Sequence, residues 1–266
     1  MIKAAVLGSP IAHSLSPLLH MSAYRELGVE ADYEALDLPL HRAKTFFSSA
    51  LSEGWRGFSL TMPLKESVFD SGFEIDPIAR RMRSVNTLVS RGDHFYGTST
   101  DRSAFKRLIS TTNVHRIAIL GGGGTARAAL SALDSEHTSI DFLLRSQSRS
   151  ESLEAIADYS RIDFFGMDHD LSSYDLVIST LPSQAESQVA VLLKNFKGLF
   201  FDVLYHPYPT EALRFARSAG LETFDGIDLL VEQALDQIKI FSEVDFDFDA
   251  MRQRLLKVAR NFLSSE

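Results

Sequence analysis

Short apolar runs alternate along the first half of the chain with stretches whose apolar positions recur every three or four residues. That alternation predicts βαβ units and a largely parallel sheet. Ala4 to Leu7 reads as the first strand. A helix follows over Pro17 to Leu27, with Leu18, Leu19, Ala23, Tyr24 and Leu27 at helical spacing and Gly28 placed to end it. Tyr33 to Leu38 predicts a second strand, His41 to Leu51 a second helix and Gly57 to Leu60 a third strand. Pro77 opens a helix to Met82, and Thr87 to Val89 can pair with His94 to Tyr96 through the turn at Arg91, Gly92 and Asp93.

A second series starts at Arg116, after the polar segment Ser110 to Asn113. It predicts strands over Ile117 to Leu120, Ile140 to Leu144, Leu176 to Ser179 and Leu199 to Asp202. Helices are predicted over Thr125 to Leu133, Ser152 to Tyr159, Glu186 to Leu193, Thr210 to Ala219 and Leu229 to Phe241. Asp249 to Leu263 predicts an amphipathic helix with Met251, Leu255, Val258 and Phe262 on one face. The expected fold class is α/β with two domains, an N-terminal α/β domain with a mostly parallel sheet and a Rossmann-type dinucleotide-binding domain. The expected division is 1–102 plus 231–266 for the first and 103–230 for the second.

Composition narrows the classes. The 266 residues are 45% hydrophobic and 23% charged, as in ordinary globular proteins. Lys plus Arg number 27 against 35 Asp plus Glu, a formal net charge of -8 that argues against a broad nucleic-acid footprint. An anionic ligand must then be held by local donors. There is no cysteine, so disulfides, thiolate catalysis and Cys-ligated metals are excluded. The eight histidines show no metal-binding spacing, and no metal is expected. The apolar runs are too short for a membrane span, and a soluble cytoplasmic protein without membrane or nucleic-acid partners is expected.

The strongest local motif is Gly121-Gly122-Gly123-Gly124-Thr125-Ala126, between a predicted strand and a predicted helix. It fits G-x-G-x-x-G/A, in which glycines allow close backbone approach and the helix N-terminus faces a pyrophosphate. Counting about 20 residues onward reaches Asp141, which would suggest NAD. Asp141 lies near the start of its strand, however, whereas Arg145, Ser146 and Arg149 follow the strand's end. Two guanidiniums and a hydroxyl suit the 2′-phosphate of NADP.

Polar clusters also follow strands in the first half. Ser14 and Ser16 lie on the loop after the first strand, at the edge where open α/β sheets bind ligands. Ser16, before Pro17, is the expected N-cap of the next helix, while Ser14 has no evident structural duty. Thr61 and Lys65 follow the third strand, and Asn86 and Asp101 can converge on the same edge.

Together, Ser14-Leu15-Ser16-Pro17, Thr61 to Lys65, Val85-Asn86-Thr87, Ser99-Thr100-Asp101, the Gly121 loop, Asp202-Val203-Leu204-Tyr205 and Gly226 to Gln233 resemble the shikimate dehydrogenases. They occur in the family's order over nearly the whole chain. Ser59 to Pro63 and Ser179 to Pro182 are similar to its actinobacterial branch. The resemblance implies NADPH-dependent, reversible reduction of 3-dehydroshikimate to shikimate, in aromatic amino-acid biosynthesis. It implies that Ser14 and Ser16 hold the substrate carboxylate, that Thr61, Lys65, Asn86 and Asp101 contact the ring hydroxyls, and that Tyr205 and Gln233 complete the substrate side. Lys65, paired with Asp101, is the implied catalytic group. Val203 and Gly226 match positions lining the nicotinamide, and the cofactor side otherwise comprises Gly121 to Thr125, Arg145, Ser146 and Arg149. Ser59, Ser99, Arg102 and Asp228 depart from the family pattern. A quinate/shikimate dehydrogenase using NAD or NADP is the alternative, and a non-catalytic dinucleotide sensor a further one. The partner expected is the small-molecule substrate, with the chain a monomer or homodimer.

Overall fold

The computed structural model describes residues 1–110 and 112–265; Thr111, in the polar segment after Ile109, and Glu266 lie outside them. The chain divides into two compact units, Met1–Asp101 with Leu230–Glu266, and Arg102–Leu229.

The first unit opens with β1 (Ile2–Gly8), α1 (Ser16–Glu26), β2 (Ala31–Asp37), α2 (Leu40–Ala50) and β3 (Gly57–Leu60). It continues with β4 (Glu74–Ile75), α3 (Pro77–Met82), β5 (Thr87–Arg91) and β6 (His94–Thr98). The sheet order is β2-β1-β3-β5-β6-β4. β1 runs parallel to β2 and β3, and β4 to β6, while β5 is antiparallel to β3 and to β6. The sheet is therefore mixed, because the tight turn at Arg91 to Asp93 forces a hairpin.

The second unit contains β7 (Arg116–Leu120), α5 (Gly124–Leu133), β8 (Ser139–Leu143), α6 (Ser150–Glu154) and β9 (Arg161–Phe165). Then come β10 (Leu176–Ser179), α7 (Glu186–Leu192), β11 (Leu199–Asp202), α8 (Glu211–Ser218) and β12 (Thr223–Phe224). Its order, β12-β11-β10-β7-β8-β9, is parallel throughout. Read from β9, this is the 3-2-1-4-5-6 order of dinucleotide-binding sheets, whose direction of winding switches between β7 and β10. The central strands β7, β10 and β11 are almost wholly buried and mostly apolar, as a sheet covered on both faces requires.

Both chain crossings fall inside helices. α4 (Thr100–Ile109) carries the chain out of the first unit, and α9 (Gly226–Ser242) brings it back. α4 is absent from the sequence reading because Thr100, Asp101, Arg102 and Ser103 resemble a polar loop. Its first N–H is satisfied from outside, by the Asn86 side chain. In the first unit α9 lies directly on β3, where a Cβ on Gly57 would collide with the Phe241 ring. Arg56 closes the helix by donating to the Ile240 and Phe241 carbonyls. α10 (Phe248–Ser265) packs on α1, with Arg254 and Glu26 paired at 3.0 Å. Its buried face is Met251, Leu255 and Ala259; Phe262 is exposed, unlike the face expected from the sequence.

The predicted helix over Ser152 to Tyr159 is shorter and earlier, ending at Glu154. The Asp134 carboxylate accepts the N–H groups of Asp158, Tyr159 and Ser160, which draws the chain out of helix and into the unforeseen edge strand β9.

Candidate functional site

In the first unit the candidate residues gather at the carboxyl ends of β1 and β3. These strands pair in parallel with Leu7 opposite Leu60, so the loops after them leave side by side. Gly8 makes the approach possible: a Cβ there would run into the Thr61 methyl and lie 2.8 Å from the Met62 carbonyl. Ser9 N–H donates to that carbonyl at 3.0 Å.

Ser16 is the first residue of α1 rather than its cap, and its side chain makes no capping bond. The Ser16 N–H instead meets Ser14 Oγ at 3.3 Å. The expectation is thus reversed: the helix starts at Ser16, one residue before Pro17, and the hydroxyl that accepts an N–H at its start is that of Ser14. Ser16 is buried and Ser14 half-buried.

Lys65, Asn86, Asp101 and Gln233 form one hydrogen-bonded cluster. Lys65 Nζ donates to Asp101 Oδ2 at 2.6 Å, with the lysine side chain 17% and the aspartate 5% exposed. Asn86 Nδ2 donates to Asp101 Oδ1 at 2.8 Å and faces Gln233 Oε1 at 3.3 Å. Thr100 joins them through its hydroxyl, 2.9 Å from Asn86 Nδ2, and through its N–H, 2.7 Å from Asn86 Oδ1. Asp101 stands in the first turn of α4, where the helix dipole favours a carboxylate. Thr61 is half-buried at the start of the turn that carries Lys65, its carbonyl accepting from Leu64 N–H.

Thr87, Thr100 and Gln237 were not singled out from sequence. Gln237 is buried four residues after Gln233, on the same face of α9, a spacing that could have found it. Ser59 is also buried, bonded to Tyr33 Oη at 2.6 Å and to Gln237 Oε1 at 2.7 Å.

In the second unit the glycine loop occupies the switch point. Gly121 has φ +103°, and a Cβ there would lie 2.6 Å from Thr180 Oγ1 on the neighbouring strand's exit. α5 begins at Gly124 with no side-chain cap and no acidic residue in its first turn, which includes half-buried Thr125. A helix start without a side-chain acceptor or a carboxylate suits an anion. Asp141 is buried and accepts Tyr174 Oη at 2.6 Å, so it does not face a ribose. Arg145, Ser146 and Arg149 are exposed beyond β8. Arg149 Nη1 reaches back to the Gly122 carbonyl at 2.8 Å, and Ser146 Oγ accepts from Ser148 N–H, capping the turn that carries Arg149. The uncapped helix start and the two guanidiniums fit a pyrophosphate with a 2′-phosphate. Val203, which extends β11 by bonding the Ser179 carbonyl, and half-buried Tyr205 lie on the loop against which α9 starts. A Cβ on Gly226 would be 2.5 Å from the Val203 and Leu204 carbonyls.

Residues 6–88 match the family model described as the shikimate dehydrogenase substrate binding domain. The shikimate dehydrogenase (NADP(+)) of Exiguobacterium sibiricum is 31% identical over 242 residues, covering 90% of this chain and 91% of that protein. The chain belongs to the shikimate dehydrogenase family. Among solved structures, the Mycobacterium tuberculosis shikimate dehydrogenase superposes with a TM-score of 0.81 at 28% identity, over 97% of this chain and 99% of the other. The shikimate 5-dehydrogenase of Thermus thermophilus, solved with NADP(H) and shikimate, gives 0.81 at 26% identity, over 98% and 99%.

Within this family frame the departures acquire physical accounts. Asp228 completes a reciprocal cap at the start of α9: it accepts from Asp225 N–H at 2.9 Å, while Asp225 accepts from the N–H groups of Ile227 and Asp228. Arg102 ties α4 to α5 through the Ser131 carbonyl and hydroxyl. Ser99 holds a buried hydroxyl without a hydrogen-bond partner, which nothing in the structure explains. Among the described residues no group of His, Asp and Glu is placed to hold a metal ion, and no helix is long and apolar enough to cross a membrane.

Proposed function

We propose that this protein is an NADP-dependent shikimate dehydrogenase, interconverting 3-dehydroshikimate and shikimate. The observation that carries the reading is the Lys65–Asp101 pair, held at 2.6 Å by a carboxylate whose other oxygen accepts from Asn86, at the edge where the sheet's loops converge. Reduction of the ketone needs a hydride at carbon and a proton at oxygen. The bound nicotinamide supplies the hydride. Lys65 gives the proton to the forming hydroxyl and takes it back in the reverse direction, and Asp101 keeps the ammonium oriented. Asn86 and Gln233 present amides to the ring hydroxyls beside this pair. Ser14 and Ser16 receive the carboxylate, so hydroxyl donors meet the anion without an excess of positive charge.

The first unit thus takes the acid substrate and the second the dinucleotide. There the Gly121 to Thr125 turn receives the pyrophosphate, Arg145, Ser146 and Arg149 the 2′-phosphate, and Val203 and Gly226 border the nicotinamide. A chain without cysteine that acts on soluble metabolites suits the cytoplasm. The testing experiment is a matrix of initial rates with shikimate and quinate, each with NADP⁺ and NAD⁺, for the wild type and Lys65→Ala. Turnover of shikimate with NADP⁺ is expected, falling about 10²- to 10⁴-fold in Lys65→Ala. Preference for quinate with NAD⁺ would overturn the assignment. Unchanged turnover in Lys65→Ala removes that residue from the mechanism.

A further inference from the structure

We propose that Gln237 is a positioning residue for the Lys65–Asp101 pair, acting through Thr87 and Asn86. The inference rests on the reading of that pair as catalytic. Gln237 Nε2 donates to the Asn86 main-chain carbonyl at 3.1 Å and to Thr87 Oγ1 at 2.9 Å. The carbonyl only accepts, so the amide of Gln237 has one possible orientation, and its oxygen receives Ser59 Oγ at 2.7 Å. Having accepted from Gln237, the Thr87 hydroxyl keeps its own proton for Asn86 Oδ1, 2.9 Å away. That oxygen also accepts from Thr100 N–H, a group that only donates. The Asn86 side chain is thereby locked with its NH₂ on Asp101 Oδ1, and Oδ2 is left to Lys65.

The result is a run of hydrogen bonds with one sense, Tyr33 to Ser59 to Gln237 to Thr87 to Asn86 to Asp101. Every member is buried, so each bond polarises the next in a low dielectric. The other group facing Gln237 is His20, with Nε2 at 3.4 Å; burial pushes its pKa down to about 3, so it adds no charge. Without the Gln237 amide the Thr87 hydroxyl is free to turn from Asn86 Oδ1, which keeps the Thr100 N–H; the Asn86 amide keeps its orientation but is held less firmly and less polarised, and so is the carboxylate that places the lysine.

The test compares Gln237→Met, of similar length without hydrogen bonding, with Tyr24→Phe, which removes a buried hydroxyl bonded to His20 and leaves the run intact. Shikimate oxidation by NADP⁺ is followed from pH 6 to 10, with thermal unfolding alongside. Gln237→Met is expected to lower kcat about tenfold, leave the KM for NADP⁺ unchanged and move the kcat–pH profile by about half a unit or more. Tyr24→Phe loses stability without moving the profile. Thr87→Val gives the same shift as Gln237→Met, the double variant loses no more than either single one, and Thr87→Val serves where Gln237→Met does not fold. A wild-type profile in either folded variant overturns the proposal. Lys65→Met, measured in parallel, separates the two failures: if it retains turnover, the catalytic reading falls and takes this one with it, whereas an inactive Lys65→Met beside an unshifted Gln237→Met removes only the positioning role.

Discussion

Asp202 ends β11 with no exposure to solvent, and its charge is a cost that the fold carries at neutral pH. Burial is the main cause, and the nearby carboxylates of Glu186 and Asp225 add to it. Two hydrogen bonds act in the opposite direction: Thr210 Oγ1 donates to Oδ2 at 2.5 Å and Leu204 N–H to Oδ1 at 3.1 Å. The balance leaves the carboxyl pushed up from 3.8 to about 7. As pH rises, the unfolded chain gives up this proton near its ordinary value, while the folded chain holds it until about 7. Between those values the native state binds more protons, so this group's contribution to stability falls with rising pH and is level above 7.

Asp202→Asn removes the titration while keeping an oxygen for the Thr210 hydroxyl. From pH 5 to pH 8.5 the two pKa values make the wild type lose about 2–3 kcal/mol relative to the variant. With about 2–4 °C of Tm per kcal/mol for a chain of this size, the Tm difference changes by roughly 5–10 °C in the variant's favour. Differential scanning calorimetry of both proteins at the two pH values reads this directly. Any general damage from the amide cancels, since it is common to both. A difference that stays constant, or grows in favour of the wild type, would refute the reasoning and mean that Thr210 and Leu204 keep the carboxylate ionised in the fold.

Arg149→Ala is expected to raise the KM for NADP⁺ about 10- to 100-fold, the worth of one or two charged hydrogen bonds, and to leave the KM for NAD⁺ nearly unchanged; equal losses with both dinucleotides would place Arg149 elsewhere. Gly121→Ala puts a Cβ at φ +103° and 2.6 Å from Thr180 Oγ1, and should cost about 1–3 kcal/mol of stability in urea unfolding together with weaker dinucleotide binding by fluorescence titration. Unaltered binding and stability there would show that the loop relaxes freely.

The elements of the second unit were legible because a fully covered parallel sheet writes itself as apolar runs, and β10 and β11 have the bounds that the pattern predicts. β9 was not, since an edge strand alternating Arg161, Ile162 and Asp163 with two phenylalanines carries a weak periodicity, and Asp134 reaches it only through the fold. α4 was hidden for a related reason: its start is polar on its own account, and the group that satisfies its first N–H comes from Asn86, fourteen residues earlier. Phe262 failed in the other direction, because spacing places it on the apolar face but the fold leaves it 40% exposed.

Site residues divide along the same line. Lys65, Asn86 and Asp101 stand beside a proline or at the ends of strands and helices, where the local pattern marks a functional edge, whereas Gln233 lies inside α9 and was reached through the family resemblance. Ser59, Thr87 and Gln237 sit inside elements that have a sufficient structural reason to exist, a strand or a helix face, and their polarity is visible only as an exception to burial. Such an exception costs free energy unless donors and acceptors are matched, and in this run every bond except that of Thr87 to the adjacent Asn86 joins residues distant in sequence. A local motif therefore specifies the groups that touch a ligand, whereas the orientation of those groups is set by tertiary partners. For Asn86 the partner is Gln237, 151 residues away, which is why substitution of a buried glutamine should be felt in the pH dependence of turnover before it is felt in any binding constant.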